Sequence, residues 1–193
     1  MKIAVLASGR GSNAENLFKC AARGDFLNSH IAALICDKSD CGAFAAAKKI
    51  GVKALYIDPL RAGARFSEEG AALYLKALNE IGADLVVLAG FMRIVPDAII
   101  NAYEGRIINL HPSLLPAFPG KDSIRQAWDY GVKVAGCTVH HVSAAVDGGK
   151  IIAQEAFYAE PSDTFDSFAQ KVHDAEYSLL PRVIADFCRK GYF

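Results

Sequence analysis

Long apolar runs are missing from this sequence. None of its 193 residues belongs to a stretch approaching the ~18 consecutive apolar positions of a membrane-crossing helix, and the opening MKIAVLASGRG is too short in its apolar part for a secretory leader. The expectation is a protein that neither spans a membrane nor is exported. An excess of charge of either sign is missing as well. Lys plus Arg and Asp plus Glu each number 21, so no long-range field holds a polyanion such as nucleic acid, and an anionic ligand must be met by a local device. Cysteines are few, odd in number and scattered, at Cys20, Cys36, Cys41, Cys137 and Cys188. The nearest pair, CDKSDC, has no downstream partner pair, which excludes a disulfide framework and a zinc knuckle. No other His, Cys or carboxylate spacing points to a metal. These thiols read as small core residues of a protein in the reduced cytoplasm.

What the sequence does contain is apolar residues in short bursts. At 52% hydrophobic and 22% charged, the chain reads as one domain, 1–193, able to bury roughly 70% of its unfolded surface. Buried strands are expected at KIAVLA (2–7), IAALIC (31–36), KALYI (53–57), DLVVLA (84–89) and RIINL (106–110). Helical patterns fall between them at 13–23, 41–50, 65–81 and 96–104, the last opened by Pro96 and Asp97. Alternating strands and helices predict an α/β, doubly wound, mostly parallel sheet with helices on both faces. After residue 131 the order changes. VAGCTVHHV and GKIIAQEAF flank SAAVDGG, whose Asp-Gly predicts an antiparallel hairpin at the sheet edge. Apolar residues at Phe165, Phe168, Val172, Ala175, Leu179 and Val183 predict a long C-terminal helix, capped by Ser162 or Asp163 and bent at Pro181.

Four groups of residues could carry chemistry. ASGRGSNAENL joins the first strand to the first helix, where the amides of Gly11, Ser12 and Asn13 would form a seat for phosphate. An ordinary glycine turn capped by Ser12 fits the same residues. So does a degenerate dinucleotide fingerprint, Gly9, Gly11 and Ala14, with Asp37 as ribose acid. No Lys follows the glycines, which excludes a nucleoside-triphosphate loop. In INLHPSLLPAFPG, Asn109 and His111 share a strand face at its carboxyl end, and Pro112 stops the strand and holds His111 extended. A lone histidine there could equally bond only to backbone. Asp147 in VDGG is either a turn residue or a carboxylate that favours the His111 imidazolium. Glu176 shares the apolar face of the last helix and needs a cationic partner, an Arg or a ligand amine. His140 and His141 alternate faces on a strand, His173 reads as solvated, and His30 as loop.

Taken in order, LASGRGSN, VVLAGFMRIV, INLHPSLLPAFPG, GCTVHHV and VDGGKIIAQ resemble the folate-dependent formyltransferases, above all those acting on glycinamide ribonucleotide in purine biosynthesis. The resemblance runs from Lys2 to about Phe187. Two relatives, methionyl-tRNA formyltransferase and formyltetrahydrofolate deformylase, normally carry an extra domain for which 193 residues leave no room. The resemblance implies a Rossmann-like formyltransferase fold, with residues 1–100 as the phosphate-binding half and 101–193 as the catalytic and folate-binding half. It implies transfer of the formyl group of 10-formyltetrahydrofolate, a co-substrate, to the glycyl amine of phosphoribosylglycinamide by direct amine attack, without a metal. Asn109, His111 and Asp147 match the catalytic positions, with Asn109 and His111 stabilising the oxyanion. Gly11, Ser12 and Asn13 would hold the substrate phosphate, and Glu176 would meet its amine. Met92, Arg93, Ile94, Val95, Asn109, Val142 and Asp147 would line the folate. Small molecules are then the partners of a cytoplasmic monomer or homodimer. The alternatives are a formyltetrahydrofolate deformylase and a dinucleotide-binding oxidoreductase. Two departures stand out: Ser67, with Arg65 nearby, occupies the place of a folate-contacting Arg, and the segment KDSIRQAWDYG, mobile in such enzymes, lacks histidines that would order it with pH.

Overall fold

Successive residues of the first strand face opposite hydrophobic layers, and this alternation builds the molecule. Ile3, Val5 and Ala7 enter one core cluster, Ala4 and Leu6 the other. The structure, a computed structural model, describes residues 1–190. It contains β1 (Lys2–Ala7), α1 (Ser12–Ala22), β2 (His30–Cys36), α2 (Ala43–Ile50), β3 (Ala54–Tyr56), α3 (Glu68–Ile81), β4 (Leu85–Leu88), α4 (Asp97–Ala102), β5 (Ile107–His111), α5 (Ser123–Tyr130), β6 (Val134–His141), β7 (Ile151–Tyr158) and α6 (Phe165–Lys190). The sheet runs β3-β2-β1-β4-β5-β6-β7, parallel through β5 and antiparallel for the last two pairings. The strand order reverses at β1, so the crevice of a doubly wound sheet opens between the carboxyl ends of β1 and β4.

The expected strands are present within a residue or two of their ends, and His30 opens β2 instead of lying in a loop. Helix starts moved for local reasons. Helix α3 begins at Glu68 because the Ser67 side chain caps it, accepting from the Gly70 amide at 2.9 Å. Helix α2 begins at Ala43 because the Gly42 amide and the Cys41 thiol both bond to the Gly9 carbonyl. Thr164, not Ser162 or Asp163, caps α6 through reciprocal bonds with Ser167. Asp163 instead accepts from Lys171 at 2.7 Å and from the Glu160 amide at 2.8 Å, which pull its carboxyl down to about 2. Most of the segment KDSIRQAWDYG is helix α5, which buries Ser123 and Ala127 and packs Ile124 and Trp128 against a third cluster formed with Ala135, Phe168 and Val172. Helix α6 continues through Pro181. Among the described residues no helix is long and apolar enough to cross a membrane.

Candidate active site

Antiparallel pairing of β5 with β6 sets Asn109 opposite His140 and His111 opposite Thr138. Directly opposed residues share a sheet face, so all four polar side chains project together at the carboxyl end of β5. The next pairing extends one of these rows, because Thr138 stands opposite Gln154 on β7.

The loop after His111 folds back over this face. Thr138 Oγ1 donates to the Ser113 carbonyl at 2.7 Å and accepts from the Leu115 amide at 3.0 Å, while Gln154 Nε2 donates to the Leu115 carbonyl at 2.9 Å. Ser113 Oγ donates to the Ala117 carbonyl at 2.6 Å. His111, Ser113, Thr138 and His140 are all buried. The prolines of PSLLPAFPG thus belong to a loop anchored by two strands, which keeps the His111 ring under cover.

Each partner of His111 is an acceptor. Its Nε2 lies 2.9 Å from the Phe118 carbonyl and its Nδ1 3.3 Å from Asp147 Oδ2. Only a ring carrying two N–H groups makes both contacts as donors. Asp147, at φ 51°, is the centre of the cluster. Its Oδ2 also accepts from the Gly120 amide at 2.8 Å, and its Oδ1 lies 3.5 Å from Asn109 Nδ2 and 3.7 Å from His140 Nε2. Burial works to raise the Asp147 pKa, but the pull of His140, the Gly120 amide and the His111 charge outweighs it, and the carboxyl sits below its ordinary value.

His140 belongs to the cluster, which its alternating strand pattern did not reveal. Its Nδ1 lies 2.8 Å from the His141 carbonyl, and its Nε2 meets Asn109 Nδ2 at 3.1 Å. That bond orients the Asn109 amide. Gly149 explains the second glycine of VDGG: a Cβ there would fall 1.7 Å from the same His141 carbonyl.

A second group lies across the crevice. Gly11 precedes α1 in the left-handed region at φ 77°, and a Cβ on it would stand 2.4 Å from the Ala43 Cβ. No side chain among the described residues caps α1, so its first amides keep their donors free. Asn13 Nδ2 donates to Glu176 Oε2 at 3.1 Å, and the same oxygen accepts from His173 Nδ1 at 2.8 Å. Asn13 Oδ1 is buried without a partner among the described residues. His173 is therefore not a solvated residue. Its ring is the partner that buried Glu176 required, and the Glu176 carboxylate raises its pKa. Arg10 is exposed and close enough to oppose protonation of that ring.

The third wall is the segment after β4. Met92 and Ile94 present exposed apolar side chains. The Met92 amide donates to Ser8 Oγ and the Ile94 amide to the Ala64 carbonyl, while those of Arg93 and Val95 have no partner among the described residues. An apolar surface beside free amides fits a flat heterocycle with polar edges. The Arg93 side chain turns away, donating to Asp37 at 2.6 Å and to the Arg61 and Gly63 carbonyls. Asp37 is thereby committed to an ion pair, which removes the ribose acid of a dinucleotide fingerprint. Ser67 caps α3, and Arg65 is exposed. Val142 is half-buried against the α3–α4 core cluster, and its amide bonds to the Ile107 carbonyl. No group of three or more His, Cys, Asp or Glu side chains is arranged to hold a metal ion among the described residues.

Residues 1–184 match the family model described as "Formyl transferase". The chain is 39% identical over 183 residues to phosphoribosylglycinamide formyltransferase of Bacillus subtilis (strain 168), covering 95% of this chain and 92% of that one. It is 35% identical over 184 residues to the trifunctional purine biosynthetic protein adenosine-3 of Gallus gallus, covering 95% of this chain and 18% of that much longer protein. The crystal structure of phosphoribosylglycinamide formyltransferase from Bacillus halodurans superposes with a TM-score of 0.91 at 38% identity, covering 100% of both chains.

Proposed function

The chain belongs to the formyl transferase family, and from that premise we propose that Asn109, His111 and Asp147 transfer a formyl group from 10-formyltetrahydrofolate to the amine of phosphoribosylglycinamide. The observation that carries this reading is the His111 ring, buried 3.3 Å from Asp147, beside an Asn109 amide oriented by His140. The folate supplies an activated formyl group whose oxygen gains negative charge as the amine adds. Asn109 Nδ2 and a ring N–H of His111 are donors of the right type for that oxygen, and Asp147 holds the ring in place through Nδ1. In the structure the Phe118 carbonyl holds the Nε2 proton, and it marks where the ring places that proton. His111 can then pass the proton to the departing folate nitrogen.

The ribonucleotide phosphate sits on the free amides of Gly11, Ser12 and Asn13 at the uncapped end of α1, with Arg10 as the nearby cation. The glycyl amine approaches Glu176, one of whose oxygens is already held by Asn13 and His173. The pterin lies along Met92, Arg93, Ile94 and Val95 and against the loop from Val142 to Asp147. Residues 1–100 thus supply the phosphate side and 101–193 the catalytic cluster, in a cytoplasmic monomer or homodimer whose partners are these two small molecules.

His111→Ala should lower kcat by about 10²- to 10³-fold, as removal of an oxyanion donor does, with the circular dichroism spectrum unchanged. Wild-type turnover in that variant would remove the central residue of the scheme. Glycinamide ribonucleotide and folate analogues should raise the thermal midpoint of the protein, and NAD(P)H should not.

A further inference from the structure

We propose that Asn16 is a positioning residue for the ribonucleotide side of the site, pinning α6 to α1 through a backbone carbonyl that Pro181 releases. Proline has no N–H, so Pro181 inside α6 leaves the carbonyl four residues earlier, that of Tyr177, without its helical donor. That carbonyl accepts from Asn16 Nδ2 at 2.9 Å, across 161 residues of sequence. A proline that reads as a bend thus creates an attachment point between two helices.

Its position gives the attachment a purpose. Asn13 lies three residues before Asn16 on the same face of α1 and donates to Glu176, the residue preceding Tyr177. Two rungs therefore join α1 to α6, and they differ in kind. The Asn13–Glu176 rung is made by side chains that face the substrate, and Glu176 shares its oxygen with the titratable His173. The Asn16–Tyr177 rung ends on backbone, contains no titrating group and persists when the first one rearranges around a ligand. It sets the span between the amides of the α1 terminus and the Glu176 carboxylate, the span a phosphate and an amine of one molecule must match. The proposal rests on the ribonucleotide reading given above.

Asn16→Ala should raise the KM for glycinamide ribonucleotide about five- to tenfold, the weight of one lost hydrogen bond, while kcat and the KM for the folate stay within about twofold. The double variant Asn16→Ala/Pro181→Ala separates positioning from simple satisfaction of that carbonyl. Its new amide at 181 can bond to the Tyr177 carbonyl, so thermal stability should recover while the ribonucleotide KM stays raised. An unchanged KM in Asn16→Ala, or a KM restored in the double variant, would overturn the proposal. Amide hydrogen exchange needs no substrate. It should quicken at residues 15–19 and 175–179 in Asn16→Ala and leave β4 and β5 unaltered, and unchanged exchange would remove the pin itself. A wild-type protein that ignored the ribonucleotide would instead overturn the activity reading.

Discussion

Two walls of the crevice are built by different means. The α1 wall is local: a glycine turn, an uncapped helix and free amides within a dozen residues of one another. The β5–β6 wall is assembled from distant strands, with Asn109, His111, His140 and Asp147 meeting only through strand pairing and a loop folded back over it. Backbone donors need only a correct turn, whereas a side-chain cluster needs a register. A one-residue slip of β6 would move His140 to the other face and leave Asn109 unoriented.

Substitutions on the assembled wall should therefore act on kcat, and those on the local wall on ribonucleotide binding. The largest effect is expected at its centre. Asp147→Asn removes the charge facing His111 and should lower kcat by about 10²- to 10³-fold, with little change in ribonucleotide KM; loss in KM alone would place Asp147 in binding. Gly149→Ala drives a methyl group into the His141 carbonyl and should displace both strands, costing about 2–4 kcal/mol in denaturant unfolding; a neutral result would show that the hairpin yields. His140→Ala frees the Asn109 amide without removing it and should lower kcat by about tenfold. Equal loss in Asn109→Ala and in the double variant would confirm that the two act as a unit.

The smallest effect belongs to the face of α6 that meets the α1 wall. The folded pKa of His173 is raised above its ordinary 6.5 by Glu176. Its stabilising contribution is therefore complete below the unfolded value and lost as pH rises through the higher folded value. His173→Gln should flatten the pH dependence of the thermal midpoint across that window. An unaltered slope would show that the His173–Glu176 bond carries no net stability.

How much of this was legible in the sequence follows the same division. Strands β1 to β5, the edge hairpin and α6 were readable because apolar bursts, Asp-Gly and helical spacing are short-range signals. The glycine turn at Gly11 and the Asn109–His111 pair were readable for the same reason. The role of His140 was not, because it depends on which residue of β5 it faces. His173 reads as solvated from sequence because its partner, Glu176, lies one helical turn further on a face whose other residues are apolar. Helix α5 carries the spacing Ile124, Ala127 and Trp128, but its 8 residues are too short for that signal to stand out. The Asn16–Tyr177 contact has no short-range signal beyond Pro181 itself.

The central claim is that this crevice moves a formyl group between two bound molecules and does not release it to water. Measuring formylated ribonucleotide and free formate together, with and without glycinamide ribonucleotide, tests it most directly. One formylated product for each folate consumed, with no formate when the ribonucleotide is withheld, is the predicted result; formate release that proceeds without the ribonucleotide would contradict it.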